Sequence, residues 1–363
     1  MGFFNKKVVD FSEEIFGLDI NDLSVKIVQI KKSNNRSSIV AYGNIDIPSG
    51  VVSGGEIIKK DILISKIKEV IKNAGPKKIK TNRVICSLPE SKSFLRIVSM
   101  PKMVDDEMRE AIKWEIEANI PLSLDRVYYD WQVLDRKIQQ SDEGNVDVLV
   151  LASAKTVVGQ FIEIVEEAGL EVVNLEVESI AQARSLIRED EEKTSLVIDM
   201  GKGSVGLMFA VGNTPCFTSS ASISLNSFAS FIAKDMGISV EEAEKVKNTY
   251  GIGSFAEKDH IFMALEPVLK NLISEIQKSI DFYINGLKYS KSVDRIVVCG
   301  GGSNIKGIVT YLSKELKREV ELGNPWVNLS SKGELPPIPH EEIIRYATSI
   351  GLSIKGADDE YLA

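Results

Sequence analysis

Two short segments of this 363-residue chain carry one pattern: Leu18-Asp19-Ile20-Asn21-Asp22-Leu23-Ser24-Val25 and Ile198-Asp199-Met200-Gly201-Lys202-Gly203-Ser204-Val205. Each reads apolar, Asp, apolar, a three-residue turn, Ser, Val, and the two Asp stand 180 residues apart. Both segments open a strand hairpin near the start of a half-chain, so the molecule reads as two related lobes. A repeat of that kind decides the fold before any local preference does. Length agrees, because a chain beyond roughly 250–300 residues divides rather than enlarging one core.

A strand-end Asp followed by a tight turn suits phosphate. The turn aims backbone N–H groups at anionic oxygens, and the carboxylate sits near enough to hold Mg²⁺ through water. Two such turns face to face clamp one nucleotide, with Asp19 and Asp199 on the metal side, the Ser24 and Ser204 hydroxyls as added donors, and Lys26 as a cation beside them. Two ordinary hairpins with polar turns are the competing reading. Gly201, Gly203 and Gly206 also satisfy G-x-G-x-x-G after a strand. That fingerprint must open a helix, whereas residues 205–211 read as a strand running into another turn, so the dinucleotide reading is set aside.

A second glycine cluster, Gly300-Gly301-Gly302-Ser303-Asn304, lies between a strand at 295–299 and a helix at 305–317. A loop without side chains lets a flat base or a ribose phosphate approach the backbone and the helix N-terminus. It lacks G-K-[ST] and is no P-loop. A plain tight turn competes here too, although one glycine would serve it.

Hydrophobic spacing maps the rest. Residues 17–30 and 39–47 read as strands of a hairpin across polar 31–36, residues 57–71 as a helix stopped by Gly75-Pro76, and 83–88 as a strand. Residues 84–155 read as a compact unit of order β, β, α, β, β, with an amphipathic helix at 105–119 and alternating strands at 127–134 and 146–151 around the acidic turn 141–144. A helix at 156–169, a strand at 172–177 and a helix at 179–187 lead to the charged link 188–193. Beyond it come strands at 195–200, 205–211 and 215–221, helices at 227–236 and 240–250, and a helix of about seven turns at 262–287. A proline-rich turn at 335–339 and a helix at 340–352 follow the second glycine cluster. The domain scheme is a first lobe 1–193 containing the inserted unit 84–155, a second lobe 194–339, and a segment 340–363 whose helix returns to the first lobe.

Composition removes other classes. Net charge is −8 and the basic residues are scattered, with Lys77, Lys78 and Lys80 reading as a solvated turn, so nucleic acid is not an expected partner. With two His, His260 and His340, far apart, there is neither a metal cluster nor a Ser-His-Asp triad to expect. The three Cys lack C-x-x-C spacing and sit in apolar runs, which suits a reducing compartment. No apolar run reaches the roughly 18 residues of a membrane span, and the N-terminus turns polar after four residues, so a cytoplasmic location is expected.

Taken in order, two phosphate turns, a helix after each linking strand and a glycine-rich loop resemble the actin-like ATPase superfamily over nearly the whole chain. Within it, Ser99-Met100-Pro101, Ile112-Lys113-Trp114-Glu115-Ile116-Glu117, Ile120-Pro121-Leu122 and Tyr129-Asp130-Trp131-Gln132-Val133-Leu134 resemble the type IV pilus assembly PilM family, relatives of the division protein FtsA. The resemblance implies an α/β, duplicated, ribonuclease H-like two-lobed fold with a small α+β subdomain inserted in the first lobe. It implies ATP and Mg²⁺ as ligands. Asp19, Ser24 and Lys26 match the first phosphate block, Asp199, Gly201, Gly203 and Ser204 the second, and Gly300, Gly301, Gly302 and Ser303 the adenosine block. Glu275 and Lys278 on the long helix match a polar pair facing ribose and base, with two solvated charges as the alternative. Glu178 falls in the connecting block, where a carboxylate orients water, which makes Glu178 and Asp199 the catalytic candidates.

One departure stands out: Asn21, Asp22 and Leu23 occupy positions where the family has Gly and small residues. A carboxylate there repels a triphosphate, so ATP binding with slow or no hydrolysis is expected. FtsA ends in a membrane-targeting amphipathic helix, whereas residues 355–363 here are acidic and suit no anionic lipid. The resemblance places the chain at the inner membrane through a partner, a PilN-like protein whose cytoplasmic N-terminal peptide lies in a groove beside the inserted unit, against exposed aromatic or apolar positions of 84–155. Other pilus platform components and the motor are further implied partners. A filament-forming FtsA-like protein is the main alternative; a small-molecule kinase on the same fold would need a catalytic Asp base and larger insertions.

Overall fold

The computed structural model describes residues 14–33, 36–120, 122–135, 138–139, 144–201, 203–221, 223, 225–253, 259–287, 289, 292–329 and 338–357. Lys202 of the second turn, most of the 141–144 and 335–339 turns and the 358–363 tail lie outside the described residues.

In the first lobe β1 (Phe16–Asn21), β2 (Ser24–Ser33) and β3 (Arg36–Asp46) form an antiparallel meander. After α1 (Lys60–Asn73), β4 (Arg83–Leu88) returns parallel to β1 on its other side. The chain leaves for β5 (Ser93–Pro101), α2 (Asp105–Asn119), β6 (Val127–Val133) and β7 (Asn145–Ala154). It comes back through α3 (Lys155–Glu167) to β8 (Glu171–Val177), parallel to β4, and α4 (Glu178–Leu186). The second lobe repeats this plan. Here β9 (Thr194–Met200), β10 (Val205–Val211) and β11 (Thr214–Ala221) form the meander. Then α5 (Leu225–Met236), α6 (Val240–Tyr250) and α7 (His260–Asp281) precede β12 (Arg295–Cys299), parallel to β9. Finally α8 (Ile308–Leu316) leads to β13 (Val320–Leu322), parallel to β12, and α9 (Ala347–Gly356) closes the fold.

Period-two alternation explains where each Asp points. Phe16, Leu18 and Ile20 of β1 join a core with Leu63 of α1 and Phe161 of α3. Gly17 and Asp19 take the opposite face, where a β-carbon on Gly17 would strike the backbone of α9. On β9, Leu196, Ile198 and Met200 pack with Leu269, Leu272 and Ile276 of α7. Val197 faces the other way, against Ala183 and Leu186 of α4 and Ala347 of α9, and Asp199 shares that face. The spacing that buries each strand's apolar side thus turns both carboxylates inward, toward the layer formed by α4 and α9.

Four expectations change. The strand at 83–88 belongs to the first lobe's sheet, so the inserted unit begins at Ser93 and not at 84. Its buried run Val84-Ile85-Cys86, covered on both faces, is the mark of a central parallel strand. The inserted unit also reaches the second lobe: β5 pairs with β11 at Phe217 and Arg96, making one sheet of eight strands. The helix expected from 305 starts at Ile308, because the glycine loop continues as a 3-10 turn, Gly301–Asn304, and Gly307 adopts φ 86° before the helix. The final helix is interrupted: a helical turn at His340–Ile343 and a 3-10 turn at Ile344–Tyr346 precede α9. At that break the Ile344 carbonyl accepts from Gly300 N, 3.4 Å away.

Candidate functional site

The two turns match in sequence but not in register. In the first lobe Asn21 pairs with Ser24, leaving a two-residue turn, Asp22-Leu23. In the second, Met200 pairs with Val205, leaving four residues in the turn. Ser24 consequently sits in the ladder and Ser204 in the loop. Asn21 Oδ1 accepts from Leu23 N at 3.4 Å, Ser24 N at 3.1 Å and the Ser24 hydroxyl at 3.0 Å. These are the first-turn donors assigned to phosphate, and the asparagine engages them within the turn.

Asp19 is 3% exposed. It accepts from Lys26 Nζ at 3.1 Å and from the Ser87 hydroxyl at 3.2 Å, and Ser87 Oγ accepts in turn from Ile20 N. Asp199 accepts from Gln182 Nε2 at 2.7 Å, a nitrogen shared with the Thr348 hydroxyl at 3.2 Å. Burial pushes the Asp199 carboxyl above its ordinary range, and Asp19 adds to the push, while Lys26 and the Gln182 bond oppose it. Glu178, at the start of α4, is pushed well above its ordinary range, first by burial and then by Asp19, Asp199 and Glu90. Glu90 is raised by burial as well, against the hydrogen bond from the Ser179 backbone. The two glutamates interlock: Glu178 Oε2 accepts from Glu90 N at 3.4 Å, and Glu90 Oε2 accepts from Ser179 N at 3.2 Å. Glu90 Oε1 is buried with no partner.

A carboxyl whose pKa rises on folding takes its proton earlier in the native state. The ligand-free protein therefore gains stability as pH falls from the alkaline side through that raised value toward the ordinary 4.5. Glu178→Gln is expected to raise Tm on the alkaline side by about 1 °C for each kcal/mol recovered and to flatten its pH dependence. Calorimetric scans between pH 5 and 8 check this; a variant as pH-sensitive as the parent would remove Glu178 from the cause.

The glycine loop closes the site from the second lobe. Gly300 has φ 78°, and a β-carbon there would fall 2.2 Å from Asp199 Oδ1 and 2.9 Å from the Met200 carbonyl, so only glycine fits. Gly301 lies beside Arg345, whose Nε stands 3.7 Å from where a β-carbon would be. Ser303 is buried and donates to the Gly300 carbonyl at 2.7 Å, shaping the loop from beneath. The result is a cleft of about 530 Å³ bringing together Asp19, Ser24, Lys26, Glu178, Asp199, Gly201, Gly203, Ser204, Gly300 and Gly301. Gly302 and Ser303 do not line it. Glu275 and Lys278 stand apart as well, paired with each other at 2.8 Å on the outer side of α7.

Glu90, Gln182, Arg345 and Thr348 are among the lining residues that the sequence does not single out. Gln182 was findable, since it stands four residues after Glu178 on one helix face. Arg345 and Thr348 were not, because the break at 344–346 sets which side of that segment faces the cleft.

With this geometry in hand, the chain matches the family model described as type IV pilus assembly protein PilM over residues 17–357. The structure of a PilM-PilN type IV pilus biogenesis complex aligns with a TM-score of 0.79 at 28% identity, covering 96% of this chain and 99% of that one. Cell division protein FtsA of Bacillus subtilis (strain 168) is 20% identical over 354 residues, 86% of this chain and 79% of that protein. MreB 5 of Spiroplasma citri, bound to AMPPNP, aligns with a TM-score of 0.52 at 16% identity over 94% of this chain and 96% of that one. The duplicated fold is the actin-like one.

Proposed function

The chain belongs to the type IV pilus assembly protein PilM family, and we propose that it is an ATP-binding, two-lobed scaffold of the pilus inner-membrane platform that holds the N-terminal peptide of a PilN-like membrane protein. The observation that carries the nucleotide part is the convergence of Asp19 and Asp199, from equivalent strands of the two lobes, on one cleft walled by Gly300 and Gly301. Among the described residues no three acidic, imidazole or thiol groups converge to cage an ion. Asp19 and Asp199 suit Mg²⁺ held through water and phosphate oxygens, the way that ion keeps much of its hydration. When bound, the ion would neutralise phosphate charge. Gln182 fixes the rotamer of Asp199, Lys26 fixes that of Asp19, and Arg345 offers a cation on the adenosine side.

Glu178, interlocked with Glu90 and raised in pKa, suits a group that holds a proton near a water rather than a permanently charged one. Asn21 engages the first turn's donors and Asp22 adds a carboxylate beside them, and our reading is ATP binding with slow or no hydrolysis. Among the described residues no helix is long and apolar enough to cross a membrane. Our reading gives membrane attachment to the partner and places the chain on the cytoplasmic side. The inserted unit offers Trp114, 72% exposed, with Tyr128 and Val133, as apolar contacts for an extended peptide.

Calorimetry with Mg²⁺-ATP, with and without a synthetic PilN-like N-terminal peptide, tests both halves. Binding of both is the expected result, with Trp114→Ala weakening the peptide at least about tenfold and leaving ATP unchanged. ATP binding without peptide binding would favour a filament former or a kinase. Peptide binding alone would leave a scaffold without nucleotide.

A further inference from the structure

Asp22 joins three structures. Its Oδ2 accepts from Gly54 N at 2.8 Å and its Oδ1 from Gly55 N at 3.1 Å. A β-carbon on Gly203, in the second turn, would lie 3.4 Å from the same Oδ2. The carboxylate thus spans the mouth of the cleft from one phosphate turn to the other. The Gly54-Gly55 turn is in its turn fastened to the 3-10 turn Glu90–Lys92. The Ser91 hydroxyl donates to the Gly54 carbonyl at 3.1 Å, Lys92 pairs with Glu56 at 2.6 Å, and a β-carbon on Gly55 would fall 2.7 Å from the Pro89 ring. That 3-10 turn runs directly into β5, the first strand of the inserted unit. Asp22 thus abuts the second phosphate turn, and direct contacts lead from it through the 51–57 loop to the root of the inserted unit.

We propose that Asp22 sets the cleft's preference among nucleotides, penalising a nucleoside triphosphate relative to the diphosphate, and that its displacement by the added phosphate resets the root of the inserted unit. The inference rests on the nucleotide reading above. Among the described residues no Lys or Arg pairs with Asp22, and the groups that meet its charge there are the Gly54 and Gly55 N–H groups. The space beside Gly203 abuts the Asp22 carboxylate, so an anion seated in the second turn would meet a like charge in a partly desolvated cleft, where repulsion is strong. Relief comes by moving Asp22 off Gly54 and Gly55. Those N–H groups then lose their acceptor, and the loop that holds Ser91 and Lys92 loses its tether. A merely structural Asp22 would weaken or strengthen both nucleotides alike, whereas a charge-sensing one changes their ratio.

The test uses the full chain and its Asp22→Asn and Asp22→Ala variants. Calorimetry with Mg²⁺-ATP and Mg²⁺-ADP is combined with hydrogen–deuterium exchange over residues 51–57 and 89–96. Asp22→Asn removes the charge and keeps one acceptor oxygen, enough for one of the two glycine N–H groups. It is expected to tighten ATP about tenfold, about 1.4 kcal/mol, and ADP less than about twofold. In the parent, ATP but not ADP should speed exchange in both segments, and Asp22→Ala should exchange fast there in every state. Equal shifts for ATP and ADP in the Asn variant, or exchange at 89–96 that ignores Asp22→Ala, would overturn the proposal. ATP binding by the Asn variant alone would support it as an outright block. If no form binds either nucleotide, the nucleotide reading fails and this inference falls with it.

Discussion

Asp199→Ala abolishes Mg²⁺-ATP binding, with affinity falling at least about a hundredfold, while the ligand-free protein melts no lower than its parent. The two halves of that expectation have one origin. Asp199 is a buried acid whose carboxyl is raised by burial, so its charged form costs the native fold. Removing it relieves that cost. Its value to the protein is therefore in what it holds: the Gln182 amide at 2.7 Å, the close seat of Gly300, and a cation brought in with the phosphates. Loss of binding with an undiminished Tm separates a lost ligand contact from misfolding, and circular dichroism should show the inserted unit still folded. Asp199→Asn, which keeps size and the Gly300 contact, should lose most of the affinity too. Retained ATP affinity in the Ala variant would sink the assignment of the site.

How much of this was legible follows from which features depend on local pattern and which on register. The alternation around Asp19 and Asp199 is local, and it suffices to predict strands whose Asp faces away from the lobe's own core. That the first turn holds two residues and the second four is a matter of cross-strand pairing, which identical patterns do not reveal. The fate of the Ser24 hydroxyl, given to Asn21, depends on that pairing. Arg83–Leu88 was read as a strand but attached to the wrong unit, because an apolar run shows burial on two faces without naming its neighbours. Glu275 and Lys278 came from resemblance alone; the long stripe from Leu265 to Ile280 fixes the buried side of α7 and leaves its polar side pointing anywhere on the surface. Gln182 and Glu178, four apart on α4, show the opposite case, a site edge written in plain helical spacing.

Gly351→Ala is expected to cost about 3–5 kcal/mol. The added carbon would lie 1.8 Å from the Ala181 carbonyl oxygen, 2.5 Å from its carbon and 2.9 Å from its Cα. These are backbone atoms of α4, which cannot swing aside as a side chain would. Nor can α9 retreat, because its opposite side is pressed on β1: a β-carbon on Gly17 would meet the Ser349 carbonyl at 2.4 Å, and Gly17 N donates to Ser353 Oγ at 3.1 Å. Ions pin the same crossing. Glu176 binds Arg184 at 2.5 and 2.8 Å and Lys355 at 2.8 Å, while Arg184 also donates to the Gly351 carbonyl at 3.1 Å. Burial alone would raise the Glu176 carboxyl, but the two cations outweigh it and hold it below the usual range. Prising α9 from α4 also parts Thr348 from Gln182 and shifts Arg345 from Gly301, so ATP affinity should fall together with stability. Gly159→Ala is the control: nothing lies within 4 Å of the new methyl in α3, and the exchange should stabilise by about 0.5–1 kcal/mol. Urea denaturation of the two variants decides the matter, and a Gly351→Ala protein as stable as its parent would mean that α4 and α9 do not cross at this glycine.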